Sequence, residues 1–334
     1  MNNTKFNFKN KNILITGGAG FIGSNLAFYF QKFHPDANIV IFDIFRNLKK
    51  FENGNLKSLG HYKNLIGFKG DIICGDINNK DHLSLLESYK FDFIFHHAAI
   101  SDTRVYDQEI IMQTNVNSFY DLLEIAKINK SVLVYASSAA TYGDLPSPQT
   151  VGRENPENPY GYSKYAMDQI AKKYSIKHPD LTLIGLRFFN VYGPKEYYKG
   201  STSSIVIQLG HQILNGNKPR LFEKSSQIFR DFIYIDDVVQ ANIKACFSTN
   251  SGVFNVGTGL SRSFRDISDI LQKELKTKLE IEYFPNPYSG YQMHTQANIE
   301  TTKKYLGFKP KFSLEQGIKA YIPEILRLHN SSSI

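Results

Sequence analysis

The sequence predicts an α/β protein: a doubly wound parallel sheet followed, on the C-terminal side, by a smaller mixed α/β substrate-binding region. Three observations carry this. Short β-branched runs alternate with helical patterns through the first half, as successive βαβ units require. A glycine-rich turn, Gly17-Gly18-Ala19-Gly20-Phe21-Ile22-Gly23, joins the first such run to the first helical pattern. Beyond about Asn190 the alternation gives way to strand-like and helical pieces in mixed order.

Taken in order, Asn12 to Thr16 reads as a buried strand and Phe21 to Phe33 as a helix. Asn38 to Asp43 and Asp71 to Gly75 are the second and third strands, and Phe91 to His96 the fourth. A helix follows near Thr114 to Asn129, then a fifth strand over Val132 to Ser137. A long helix covers Tyr160 to His178 and a sixth strand Leu181 to Arg187. Arg230 to Ile235 and Gly252 to Val256 are later strand candidates. The stretch Phe45 to Gly70, rich in Asn, Lys and Gly, reads as an insertion looping near the edge where a cofactor would lie. Residues 1–190 are therefore expected to form a nucleotide-binding domain that also receives segments from about 230–260, and residues 191–330 the substrate-binding region.

With 334 residues, 42% of them hydrophobic and 21% charged, the chain can bury a sizeable core and has the composition of a soluble globular protein. Met1 to Asn12 is polar and lacks the apolar run of a secretory signal. No stretch approaches the roughly 18 apolar residues of a membrane span. Cys74 and Cys246 stand far apart without metal-ligand spacing, so they are expected to be buried thiols in a reducing cytoplasm, and no metal site is expected. The net charge of +8 is spread along the chain rather than gathered with aromatics. That speaks against nucleic acid and for a plain solvated surface, with attraction of small phosphorylated molecules as the alternative.

Gly17, Gly20 and Gly23 have the spacing GxxGxxG between a strand and a helix. Such a turn is tight, lets the backbone approach a pyrophosphate, and packs helix on strand. The helix N-terminus then offers N–H groups and a positive dipole end to phosphate. With Asp43 ending the next strand, twenty residues after Gly23, this is the layout of a Rossmann-type dinucleotide site. Asp43 suits a ribose diol, which favours NAD. Arg46, Lys49 and Lys50 follow closely and suit a 2′-phosphate, so the residues themselves leave NAD and NADP open.

Tyr160 and Lys164 are four residues apart and share one helix face. An ammonium beside a phenol favours the phenolate and lowers its pKa from about 10. The Tyr can then take and return a hydroxyl proton while hydride moves to or from a nicotinamide. The strand end Tyr135 to Gly143 lies where such sheets hold ligands, and Ser138 in it can hydrogen-bond a substrate oxygen. Ser137 is as readily a solvated turn residue as a functional one.

Together these residues resemble the extended short-chain dehydrogenase/reductase superfamily. Its further motifs appear in order as His97-Ala98-Ala99, Asn115, Asn190-Val191-Tyr192-Gly193-Pro194, Arg230-Asp231-Phe232 and Phe254 to Gly259. Within it, Tyr192 to Ser201 and Leu221 to Ser225 look like the ADP-L-glycero-D-manno-heptose 6-epimerase family of lipopolysaccharide inner-core synthesis. The resemblance implies Tyr160 and Lys199 as two acid/base groups, with Lys164 orienting the nicotinamide ribose and Ser138 assisting. It implies cofactor contacts at Gly17, Gly20, Phe21, Ile22, Gly23, Asp43, Lys50, Asp76 and Ile77. It extends them through His97, Ala98, Ala99, Ile100 and Ser101 to Asn115, Lys164, Val191 and Lys199. The sugar nucleotide would meet Asn190, Ser201, Gln208, Phe222, Glu223, Lys224, Ser225, Arg230 and Tyr291. Gln208 stands where the family has histidine and Lys224 where it has glycine, while the insertion makes the Lys50 match loose. The family generally uses NADP.

The resemblance further implies a cytoplasmic homo-oligomer that oxidises carbon 6 of an ADP-heptose, turns it over and reduces its other face. Arg230 would clamp the diphosphate. Three other readings compete. A UDP-hexose 4-epimerase would share everything but the Lys199 segment. A 4,6-dehydratase needs carboxylates where Ala139 and Ala140 stand. A non-enzymatic dinucleotide sensor would have no use for Tyr160 and Lys164 together.

Overall fold

The computed structural model describes residues 6–286 and 292–332. Its strands are β1 (Asn12–Thr16), β2 (Asn38–Asp43), β3 (Asp71–Cys74), β4 (Phe93–His96), β5 (Val132–Ser138) and β6 (Leu183–Phe188). They continue as β7 (Asn190–Tyr192), β8 (Arg220–Phe222), β9 (Phe229–Tyr234), β10 (Gly252–Val256), β11 (Ser261–Ser263) and β12 (Glu282–Phe284). Seven of them form one sheet in the order β10-β6-β5-β4-β1-β2-β3, every neighbouring pair parallel. The order reverses between β1 and β4, which opens a crevice at their carboxyl ends, the place where such sheets bind ligands.

Helices cover both faces because the central strands are apolar on both. Ile13 and Ile15 point into one core with Leu26, Ala27 and Phe30 of the Phe21–Phe33 helix and with the Ile235–Ala245 helix. Leu14, Ile94 and Leu133 point the other way, against Leu122, Leu123 and Ala126 of the Ser118–Asn129 helix and Met167 of the Pro159–Lys177 helix. Each fully buried Ile, Leu, Phe or Met among them contributes about 1.5–3 kcal/mol. A three-stranded sheet, β11-β9-β7, and the parallel pair β12-β8 lie beyond it.

Several expectations change. The helix expected from Thr114 begins at Gln108 and passes through a π-helical turn, Met112–Asn117, before Ser118–Asn129. Cys246 is buried but Cys74 is exposed: it lies on β3, the edge strand, where one face has nothing to pack on. The insertion is partly ordered into a Lys50–Leu56 bridge and a short 3-10 helix, Tyr62–Leu65. No described helix is long and apolar enough to cross a membrane.

Candidate active site

The glycine turn is built to be close-packed. Gly17 has φ +69°, and a Cβ there would come within 2.6 Å of Ala98 N. A Cβ on Gly23 would meet Gly17 O at 2.4 Å. Gly20 caps the helix without a side-chain hydrogen bond, so no side chain competes for the first-turn N–H groups that a pyrophosphate needs. A dinucleotide fits this cradle because the two close approaches leave room only for bare backbone. Phe21 is buried, and Ile22 packs at the edge of the core.

Asp43 is 5% exposed and already committed to this turn: Oδ2 accepts from Ala19 N at 3.0 Å and Oδ1 from Phe45 N at 2.7 Å. Burial raises its carboxyl pKa against those two bonds. Lys50 is exposed on the insertion. Asp76 turns its carboxylate onto Asn78 N (2.9 Å) and Asn78 Nδ2 (3.1 Å), and Ile77 is buried beside it. His97 and Ala98 follow β4 and run against Gly17, with Ala98 N donating to Thr16 Oγ1 at 3.3 Å. Ala99 is half-buried, Ile100 buried and Ser101 exposed. Burial, then the Lys164 charge, takes the His97 imidazole down to about 3, so it is neutral. Asn115 is fully buried in the π turn, a widening of the helix often found at functional sites. Its amide accepts from Ile100 N (2.8 Å) and donates to Ile100 O and Ser163 Oγ (both 2.9 Å), tying the β4 loop to the next helix.

That helix, Pro159–Lys177, starts with Asn158 accepting from Gly161 N at 2.8 Å and Pro159 in the first turn. A Cβ on Gly161 would lie 2.4 Å from Ala140 O, so the helix start presses on the turn after β5. The contact sets the Tyr160 phenol beside Ser138. Burial raises the phenol's pKa and the Ser138 hydroxyl opposes it. The expected lowering by Lys164 is therefore overturned: the ammonium lies over the ring, 6.0 Å from its centre, and touches Met167 Sδ at 3.7 Å. Burial pulls Lys164 itself down to about 8, with Asp168 pulling the other way.

Asp168, one turn further on, is buried and accepts from Tyr135 OH (3.0 Å), Ser137 Oγ (3.0 Å), Arg187 Nε (2.9 Å) and Arg187 Nη2 (2.8 Å). Arg187 also reaches Glu154 at 2.6 Å. Ser137 is thus a buried member of this network, not a solvated turn residue. Nothing in the Tyr160–Lys164 spacing announces Asp168, although its position four residues after Lys164 places it on the same helix face.

Lys199 sits in a 3-10 turn, Tyr197–Thr202, beyond β7, with its ammonium 5.6 Å from the centre of the Phe21 ring. It therefore faces the start of the cofactor helix. Burial lowers its pKa, and Glu196 and Asp102 oppose this. Glu196 is fully buried: Oε1 accepts from Gly193 N (3.0 Å) and Ser204 Oγ (2.8 Å), Oε2 from Ser204 N (2.6 Å). It ties together the two ends of the loop that carries Lys199, a role sequence reasoning did not assign. In the sequence, only the acid three residues before Lys199 hints at it.

The remaining expected substrate residues scatter around this loop. Asn190 is exposed at the start of β7 and Val191 half-buried after it. Ser201 is exposed and donates to Asn55 Oδ1 at 2.7 Å. Gln208 donates to Ser203 O at 2.7 Å and lines a pocket of about 360 Å³ with Arg46, Tyr198 and His211. Phe222 ends β8, Glu223 is exposed and Ser225 buried. Lys224 has φ +59°, a conformation that a glycine adopts without strain. The Arg230 guanidinium donates to Phe229 O (2.8 Å) and to Gln292 O. Asp231 is committed elsewhere, accepting from Thr258 N and Oγ1, Gly259 N and Ala297 N. Tyr291 lies outside the described residues.

The profile of the NAD dependent epimerase/dehydratase family matches residues 13–257. The chain is 36% identical over 316 residues to an ADP-L-glycero-D-manno-heptose-6-epimerase of Brachyspira hyodysenteriae, covering 92% of this chain and 96% of that protein. It superposes on the crystal structure of the Helicobacter pylori ADP-L-glycero-D-manno-heptose-6-epimerase with a TM-score of 0.87 and 47% identity, covering 96% and 97% of the two chains. A UDP-glucuronic acid 4-epimerase from Bacillus cereus, solved with UDP-glucuronic acid and NAD, gives a TM-score of 0.81 at 26% identity, covering 95% and 99%.

Proposed function

Because the chain belongs to the NAD dependent epimerase/dehydratase family, we propose that it inverts carbon 6 of an ADP-linked glycero-manno-heptose, with NADP as its cofactor. Two groups able to handle a proton support the reading. One is Tyr160 beside Ser138, and the other is the half-buried Lys199 over Phe21 at the start of the glycine-turn helix.

The glycine turn would hold the pyrophosphate, and Lys164 the nicotinamide ribose. Bound there, the dinucleotide would supply a reversible hydride acceptor for carbon 6. One acid/base group removes the hydroxyl proton as carbon 6, a secondary alcohol, becomes a ketone. After the ketone has turned over, the group on the opposite side returns a proton to the oxygen. The cycle is redox-neutral, and each face has its own proton partner. Burial lowers the Lys199 pKa, which favours the neutral amine that takes up a proton. Arg230 and the Phe222 to Ser225 turn take the nucleotide diphosphate, and residues 191–330 form the substrate side of the site. Asp43 holds the adenosine ribose through the turn it braces. Arg46, Lys49 and Lys50 on the adjoining insertion favour a 2′-phosphate, hence NADP. The product would supply heptose for the lipopolysaccharide inner core, made in the cytoplasm by a homo-oligomer.

Proton NMR of the purified protein with ADP-D-glycero-D-manno-heptose tests the activity, with inversion at carbon 6 expected. Silence on that substrate together with rapid inversion of UDP-galactose at carbon 4 overturns it. Titration with the two dinucleotides tests the cofactor: NADP is expected to bind more tightly than NAD, and Lys49→Ala with Lys50→Ala to narrow the gap.

A further inference from the structure

Segment 44–66, the first part of the insertion, touches two functional parts of the molecule at once. On one side it leans on the cofactor turn. His61 N and Asn64 Nδ2 both donate to Ala19 O, at 3.0 and 3.1 Å, and Gly60 packs on the Asp43 carboxylate. On the other side it grips the loop that bears Lys199. Arg46 donates to Tyr198 O, and Lys195 Nζ donates to Asn64 O at 2.6 Å. Ser201 Oγ donates to Asn55 Oδ1 at 2.7 Å. The rings of His61 and Tyr198 stack with centres 3.9 Å apart and planes within 6°. Asn55 is itself anchored to the loop after β4 by a 2.5 Å bond to Asp102.

The loop needs such outside help. Glu196 fixes only its two ends, at Gly193 and Ser204. Tyr197 packs on the core from a half-buried position, but no residue of the turn Tyr197–Thr202 is fully buried, and Gly200 breaks its helical path at φ +58°. Past Tyr197, the turn is held by whatever grips its surface. The four ties from the insertion fall on residues 195, 198 and 201, on both sides of Lys199.

We infer that segment 46–64 is a clasp that sets the position of Lys199 relative to the cofactor turn, with His61 and Asn55 as positioning residues acting through Tyr198 and Ser201. The inference rests on the reading of Lys199 as the second proton-handling group. A clasp of this kind gives the insertion a catalytic consequence without contact to the reacting atoms, because a base displaced by about 1 Å can lose on the order of a hundredfold in rate.

The test compares the parent with Asn55→Ala, His61→Ala and the double variant, with Glu52→Ala on the exposed side of the same segment as control. Two quantities are read: kcat and KM for inversion at carbon 6, and amide hydrogen exchange by mass spectrometry over residues 193–204. The double variant is expected to lose at least about tenfold in kcat with KM changed less than about twofold. Exchange over 193–204 should rise while exchange over 17–23 and 160–164 stays as in the parent. His61→Phe, which keeps the stack, should restore both. Parent-like kcat in the double variant, or a loss of kcat without faster exchange at 193–204, overturns the clasp. Lys199→Ala with full activity overturns the underlying reading instead, and the exchange result still reports whether the segment restrains the loop.

Discussion

The Lys164 ammonium lies over the face of the Tyr160 ring, 6.0 Å from its centre, while the phenol hydroxyl sits beside Ser138. The Lys164 contact is to the ring and survives without the hydroxyl; only the contact with Ser138 goes with it. Tyr160→Phe should therefore keep the packing and lose the chemistry: turnover falls by about 10²–10⁴ while the melting temperature changes little. Near-parent turnover in a steady-state assay removes Tyr160 from the mechanism.

Lys164 gives a pH signature. Burial moves its pKa from 10.5 to about 8. Below pH 8 both folded and unfolded chains carry the proton, and the folded one bears the full cost of a buried charge. Between about 8 and 10.5 the unfolded chain still holds a proton that the folded chain has released, so this group makes stability rise with pH. Without added dinucleotide, Lys164→Met should melt above the parent below pH 8, and the difference should shrink as the pH climbs to 10.5. A pH-independent difference would contradict the assignment.

Lys199→Ala separates the proposed reaction from its nearest rival. A sugar inverted at carbon 6 in place needs a proton partner on each face, so the variant should lose about a hundredfold or more of its turnover while still retaining dinucleotide. An unimpaired rate in the NMR assay would favour a 4-epimerase, which can manage with Tyr160 alone.

Asp168→Ala removes the acceptor of four hydrogen bonds and leaves Arg187, 1% exposed, with Glu154 as its remaining carboxylate partner. Taking one member from a buried ion pair costs about 3–5 kcal/mol. Urea unfolding should show that loss. A change below about 1 kcal/mol would mean that the network relaxes or admits water.

The parts of this fold that were readable in the sequence are those encoded locally. Asn12–Thr16, Phe21–Phe33 and Asn38–Asp43 carry their own periodicity and the glycines that join them, and their bounds are as expected. Tyr160 and Lys164 share a helix, so four-residue spacing was enough to pair them. What was not readable depends on chain segments meeting at a distance. Asp168 finds Arg187 on a strand, and Asn64 finds Lys195 across 131 residues of sequence. The phenol's raised pKa likewise follows from how deeply the helix start is buried against Ala140, which no spacing reveals. The π turn at Asn115 escaped for a related reason: the side chain that stabilises it bonds to Ile100 and Ser163, not to its own neighbours.

β10 lies outside β6, pairing Gly252–Val256 with Ile184–Phe188. A gene fragment stopping near residue 190 would thus encode six strands and leave the last of them with a raw row of unanswered amide and carbonyl groups. Such a margin invites a second molecule to add itself. The amino-terminal half, though it holds the glycine turn and the tyrosine, should accumulate as aggregate when expressed by itself and recover only when a chain containing 252–256 is supplied.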